Sequence, residues 1–70
     1  MSEIVRDFMG GPFDGEGRVV NEKSMSIVAQ IPAAKISSYV GSEYCKYCLK
    51  DGLMIYVGTG TKTYLAKRKL

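Results

Sequence analysis

Seventy residues with no histidine and only two cysteines, three positions apart, must fold without the aids that short chains ordinarily use. A chain of this size buries only about 60% of the surface its unfolded form exposes. Disulfides, a metal or an oligomer partner usually supply what the small core lacks. A closed zinc site takes about four ligands, and this chain offers two thiols and no imidazole. Cys45 and Cys48 stand in Tyr44-Cys45-Lys46-Tyr47-Cys48-Leu49, which reads as a strand. Residues three apart on a strand point to opposite faces, so the two sulfurs are badly placed to pair. The leading reading is two reduced thiols, which implies the cytosol. A metal shared between protomers and a redox pair are the other readings of this C-x-x-C. With those aids set aside, oligomerisation is the expected remedy.

Hydrophobic residues make up 46% of the chain, which argues for a packed domain over a disordered segment. The length fits one domain and excludes a two-domain dinucleotide enzyme or a barrel enzyme. The start, Met1-Ser2-Glu3-Ile4-Val5-Arg6-Asp7, lacks the basic and apolar regions of a signal peptide. No apolar run approaches the roughly 20 residues of a membrane span. The expected location is therefore cytoplasmic, without membrane association.

Glycine and proline divide the chain into short strands. Residues 4–9 are rich in β-formers and stop at Gly10-Gly11-Pro12. Gly10-Gly11-Pro12-Phe13-Asp14-Gly15 is turn chemistry throughout, with Asp14 a turn former. Residues 18–21 form a second strand. Residues 24–31 alternate, with Met25, Ile27, Ala29 and Ile31 on one face, until Pro32. Residues 33–40 read as a loop with a short helical turn. Residues 42–50, Asp51-Gly52 and residues 53–57 read as a hairpin. Cys45, Tyr47 and Leu49 are expected inward, with Leu53, Ile55 and Val57. Tyr44, Lys46, Cys48, Lys50, Met54 and Tyr56 are expected outward. A turn at Gly58-Thr59-Gly60 leads to a last strand over residues 61–66 and a charged tail, Lys67-Arg68-Lys69. The fold class is all-β: a small antiparallel meander or partly closed barrel of five or six strands. With no convincing helix to cover the apolar face, a second protomer completes it.

Two segments carry a family resemblance: Phe8-Met9-Gly10-Gly11-Pro12-Phe13-Asp14-Gly15 and Tyr47-Cys48-Leu49-Lys50-Asp51-Gly52-Leu53-Met54-Ile55-Tyr56. The chain resembles small phage and bacterial β proteins that pair an N-terminal Gly-Gly-Pro-(Leu/Phe)-Asp-Gly motif with a Tyr…Asp-Gly…Tyr hairpin. Residues 21–40 match in general character alone. The resemblance implies a phage-type origin and a small β fold, not a reaction. Phage accessory proteins of this size often counter host defence, some as oligomers that trap host nucleotide signals. That likeness is one of strategy and carries no residue across.

Candidate binding residues follow from chemistry. Gly58 to Thr63 offers backbone N–H groups near glycine, with Thr59, Gly60, Thr61 and Lys62 as the expected anion donors. It is not a P-loop, because the glycine spacing and the strand-to-helix context are wrong. Tyr44 and Tyr56, outward beside Lys46, could stack a base. Arg6 and Arg18 flank the Gly-Gly-Pro loop, and either could clamp a phosphate. Each also has a plain structural reading: hairpin turn, strand tyrosine, solvated arginine. No residues are singled out as catalytic or as metal ligands, and no cofactor is expected.

Charge is uneven. Residues 1–35 carry a net −1 and residues 36–70 a net +4, within a total of +3. A basic, tyrosine-bearing second half suits an anionic partner. The leading expectation is a homo-oligomeric anti-defence protein that sequesters a nucleotide immune signal without turnover, in the host cytosol if phage-encoded. A protein-interaction module that inhibits a host enzyme or assists virion assembly is the alternative. Single-stranded nucleic-acid binding is a weaker third, because the first half is acidic. Enzyme activity is least expected, since no His and no nucleophile–base pair is evident.

Overall fold

The computed structural model describes residues 2–67. Five strands form one mixed sheet: β1 (Glu3–Met9), β2 (Gly17–Asn21), β3 (Ser26–Gln30), β4 (Tyr44–Lys50) and β5 (Leu53–Gly60). Their order is β2-β1-β5-β4-β3, and the sheet curls into a half-barrel. Two short 3-10 helices, Gly11–Phe13 and Ala33–Ser38, and one α-helix, α1 (Lys62–Lys67), complete the chain. Among the described residues no helix is long and apolar enough to cross a membrane.

The sheet is not an antiparallel meander. β1 runs parallel to β5, in register at Phe8 with Met54 and Met9 with Ile55. Glu3 to Asp7 of β1 pair antiparallel with β2. The hairpin β4–β5 thus inserts β5 between β4 and β1, joining the two ends of the chain. Local alternation cannot reveal such a pairing, because it reports faces and not neighbours.

Asp51-Gly52 makes the expected two-residue turn, both residues with positive φ (52° and 79°), the geometry that matches strand twist. That turn sets Lys50 opposite Leu53, Leu49 opposite Met54 and Tyr47 opposite Tyr56. Paired residues share a face, so Met54 and Tyr56 point inward with Tyr47. The expected inward set on β5, Leu53, Ile55 and Val57, is therefore reversed. Met54 is fully buried and Tyr56 packs against the core.

The core on the concave face contains Phe8, Phe13, Val20, Ile31, Cys45, Tyr47 and Met54. The two 3-10 helices cover it. Phe13 stacks on Tyr47 with ring centroids 5.7 Å apart, and Phe8 meets Tyr47 edge-on at 4.8 Å. Lys35 of the second 3-10 helix donates to the Pro12 carbonyl and faces Glu16 at 3.6 Å, tying the two covers together.

Part of the outer face has its own cover. The expected strand over residues 61–66 is α1. The Thr61 Oγ1 accepts the Tyr64 N–H at 3.1 Å, an N-cap bond that satisfies an otherwise orphaned donor. Leu65 is fully buried, and its carbonyl accepts from the Lys46 Nζ at 3.0 Å. Lys46, expected in solvent, is 5% exposed. The expected turn at Gly58-Thr59-Gly60 is instead the end of β5, paired with Lys46, Cys45 and Tyr44. A bulge lets β5 continue: Tyr56 pairs with Tyr47 and Gly58 with Lys46, leaving Val57 as the extra residue. A Cβ on Gly60 would lie 2.8 Å from the Tyr64 ring, so the absent side chain makes room for α1. α1 packs on β3, β4 and β5, while Val5 and Val19 of β1 and β2 stay exposed on this face.

Candidate functional site

The Gly-Gly-Pro-Phe-Asp-Gly motif and the tyrosine hairpin, the two parts of the resemblance, meet in space. Gly10 and Gly11 have φ of 81° and 66° and lie against the Tyr56 ring. Asp14 Oδ1 accepts the Gly10 N–H at 2.7 Å, which closes the loop as a turn former should. Phe13 is buried. The Tyr47 hydroxyl accepts the Phe13 N–H at 2.9 Å and donates to the Gly10 carbonyl. The motif is thus a clasp: its backbone polar groups close on one tyrosine of β4 and its glycines on one tyrosine of β5.

Burial pushes the Tyr47 hydroxyl up to about 12, against the Phe13 N–H bond that favours the anion, with Cys45, Tyr39 and Tyr56 adding smaller raising effects. This group is a structural hydrogen-bonding hydroxyl at neutral pH, not an acid.

The expected site residues divide into two groups. Tyr44, Thr61 and Lys62 come together with Ile36, Gly41, Ser42 and Glu43 around a cleft of about 300 Å³. The segment between the second 3-10 helix and β4 forms one wall; the β5–α1 junction forms the other. Ile36 gives an apolar surface, Tyr44 an aromatic one, Ser42 and Thr61 hydroxyls, Glu43 a carboxylate and Lys62 an ammonium. Ile36, Ser42 and Glu43 were not legible as site residues. Nothing in sequence places residues 36–43 beside residues 61–62.

The remaining candidates lie elsewhere. Thr59 and Gly60 are paired strand residues of β5 and form no nest. Tyr56 does not stack outward with Tyr44; its ring lies 5.6 Å from Tyr47 and 6.5 Å from Tyr39. Arg6 and Arg18 are opposite one another across β1–β2 but reach in different directions. Arg6 donates to the Gly52 carbonyl at 3.2 Å and the Glu22 carbonyl at 3.3 Å, strapping two turns together. The Arg18 guanidinium sits 4.0 Å over the Phe13 ring and 3.5 Å from Glu16, a cation–π contact that seals the clasp. Both side chains are thus engaged within the fold. Lys67 ends α1, while Arg68 and Lys69 of the basic tail lie outside the described residues.

The two cysteines take opposite faces of β4, as their spacing requires. Cys45 is buried and Cys48 half-buried, and neither forms a disulfide. Burial pushes the Cys45 thiol up, with Arg18 acting weakly against it, which keeps it protonated and inert. Among the described residues no group of three or more His, Cys, Asp or Glu could hold a metal. A disulfide-forming thiol reagent added to the native protein is expected to modify Cys48 alone. Cys45 should react only on unfolding. Equal native rates for the two thiols would contradict the burial of Cys45.

No protein-family model, curated protein or solved structure matches the chain.

Proposed function

We propose that the chain is a non-catalytic binding protein that sequesters a mononucleotide-sized anion in the Tyr44–Lys62 cleft. The observation that carries this reading is the convergence of an aromatic ring, hydroxyls and an ammonium on one cleft from segments distant in sequence. A base would stack on Tyr44. A phosphate would meet Lys62 and the hydroxyls of Thr61 and Ser42. The carboxylate of Glu43 would accept a base or ribose hydrogen and would repel a highly charged ligand. The volume lies at the low end of ligand pockets, about 300–1,000 Å³, which favours a mononucleotide over a cyclic dinucleotide. Sequestration as a phage-type anti-defence strategy is the biological form of this proposal, and its support is the resemblance of strategy alone.

The test is thermal melting and calorimetry of the full chain with a cyclic mononucleotide, ADP-ribose and a cyclic dinucleotide as probes. A bound ligand at about a hundred times its Kd adds about 2.7 kcal/mol, a rise of roughly 10 °C or more in Tm for a domain this small. The expected result is a shift with a mononucleotide-sized probe that Tyr44→Ala and Lys62→Ala each abolish. No shift with any of the three, or a shift untouched by both substitutions, would refute the assignment.

A further inference from the structure

We propose that the chain self-associates through the open edge of β2, which pairs antiparallel with β2 of a second copy about a twofold axis at Val19. β2 ends the sheet, and its hydrogen-bond phase is fixed. The Phe8 N–H donates to the Glu16 carbonyl and the Glu22 N–H to the Ser2 carbonyl. Antiparallel pairs alternate between bonded and non-bonded, so Ile4/Val20 and Arg6/Arg18 are the bonded pairs between these two. Gly17, Val19 and Asn21 therefore turn their N–H and C=O groups away from β1, toward the edge. The strand has no proline or bulge to blunt this edge, and its one charge, Arg18, is drawn over the Phe13 ring.

The register about Val19 is self-complementary. Val19 exchanges two bonds with the partner's Val19. Gly17 lies opposite the partner's Asn21, whose carbonyl also accepts from Ser24 of its own chain, as Asn21 does here. Arg18 lies opposite the partner's Val20, so no like charges face one another within the strand. It is also diagonal to the partner's Glu22, within reach of a long side chain. Beyond the strand Glu16 would oppose the partner's Glu22, but Arg18 and Lys35 already flank Glu16.

Exposure distinguishes this edge from that of β3. Val5 and Val19, paired on the outer face, are each 62% exposed. On β3, Ile27, Val28 and Ala29 are all half-buried. Pairing β2 would join Val5 and Val19 of both copies into one apolar strip. Five-residue edges bury little against the roughly 800 Å² per partner of a stable interface. The dimer is therefore concentration-dependent. The proposal is independent of the ligand reading, since the cleft borders β4 and α1 at the other side of the sheet.

Sedimentation equilibrium of the full chain over a wide concentration range tests it. Val19→Pro removes an edge-facing N–H and leaves the bonds to β1 in place. Val28→Pro is the matched control, because the Leu49–Met25 and Ile31–Glu43 bonds make Val28 edge-facing on β3. Wild type and V28P are expected to dimerise with rising concentration, and V19P to stay monomeric with an unchanged circular dichroism spectrum. If V19P unfolds, Val19→Lys replaces it, placing like charges at the axis. A wild type that stays monomeric would overturn the proposal. So would a folded Val19 variant that dimerises like wild type, or a dimer lost in V28P and kept in V19P.

Discussion

Gly11→Ala is expected to cost more than the same change at any other glycine of the chain, on the order of 3 kcal/mol or more. Two effects add. The backbone φ of 66° is disfavoured for any residue with a Cβ. The new carbon would also stand 2.3 Å from Cδ1 of Tyr56, 2.6 Å from its Cγ and 2.8 Å from the Tyr47 hydroxyl. The first two of these atoms belong to the inner part of a ring held between the clasp and Tyr47. The ring packs against Tyr47 and Tyr39, so any yielding disturbs those contacts. A chain of this length has roughly 4–10 kcal/mol of total stability, so the variant is expected to be largely unfolded at 37 °C. Denaturant melts measure this. The accompanying Tyr56→Ala change separates the two causes: G11A/Y56A should recover the part due to the clash and leave the part due to φ. Full additivity of the two substitutions would show that Gly11 and Tyr56 do not touch.

The second large effect is expected from Tyr47→Phe. The rings are nearly isosteric, so the aromatic packing survives. What is lost is the hydroxyl between the Phe13 N–H and the Gly10 carbonyl. A buried donor or acceptor left unpaired costs about 1–3 kcal/mol, and one atom here serves both. The expected loss is about 2–4 kcal/mol, read as a lower denaturation midpoint with an unchanged m-value. The pH dependence gives a separate signature. The native hydroxyl keeps its proton to about 12, while an exposed tyrosine of the unfolded chain loses it near 10.0. Between these values the native state holds more protons than the unfolded one, so stability falls as pH rises. The contribution is fully present below pH 10 and lost through pH 12, on the order of 2–3 kcal/mol. Wild type should therefore lose stability more steeply than Y47F across this window. Parallel slopes would show that the hydroxyl is not held as described.

The same residues show what could be read in advance. The turn at Asp51-Gly52 was legible because both positions must take positive φ, which few other dipeptides do cheaply. Its consequence was legible too. A two-residue turn puts Leu53 opposite Lys50, and hence Met54 and Tyr56 on the face of Leu49 and Tyr47. Alternation read on β5 alone gave the opposite assignment, because Ile55 and Val57 are as apolar as the residues that point inward. α1 had a weaker signal, a threonine before Lys-Thr-Tyr-Leu-Ala-Lys, outweighed by the β-branched residues around it. In the cleft, Tyr44, Thr61 and Lys62 could be chosen by chemical type. Ile36, Ser42 and Glu43 could not, since ordinary loop composition says nothing about what the loop faces.

By itself the sequence determined the local conformations: the clasp glycines, the hairpin turn, the opposite faces of Cys45 and Cys48, and the short strands between them. Each follows from steric limits or from a period-two alternation that a few neighbouring residues set. Only the tertiary structure decided that β5 lies parallel against β1, that α1 buries Lys46, and that Arg6 and Arg18 serve the fold. Those outcomes depend on contacts between segments tens of residues apart. Their energies come from packing and hydrogen bonds that exist only once the sheet has closed around Tyr47.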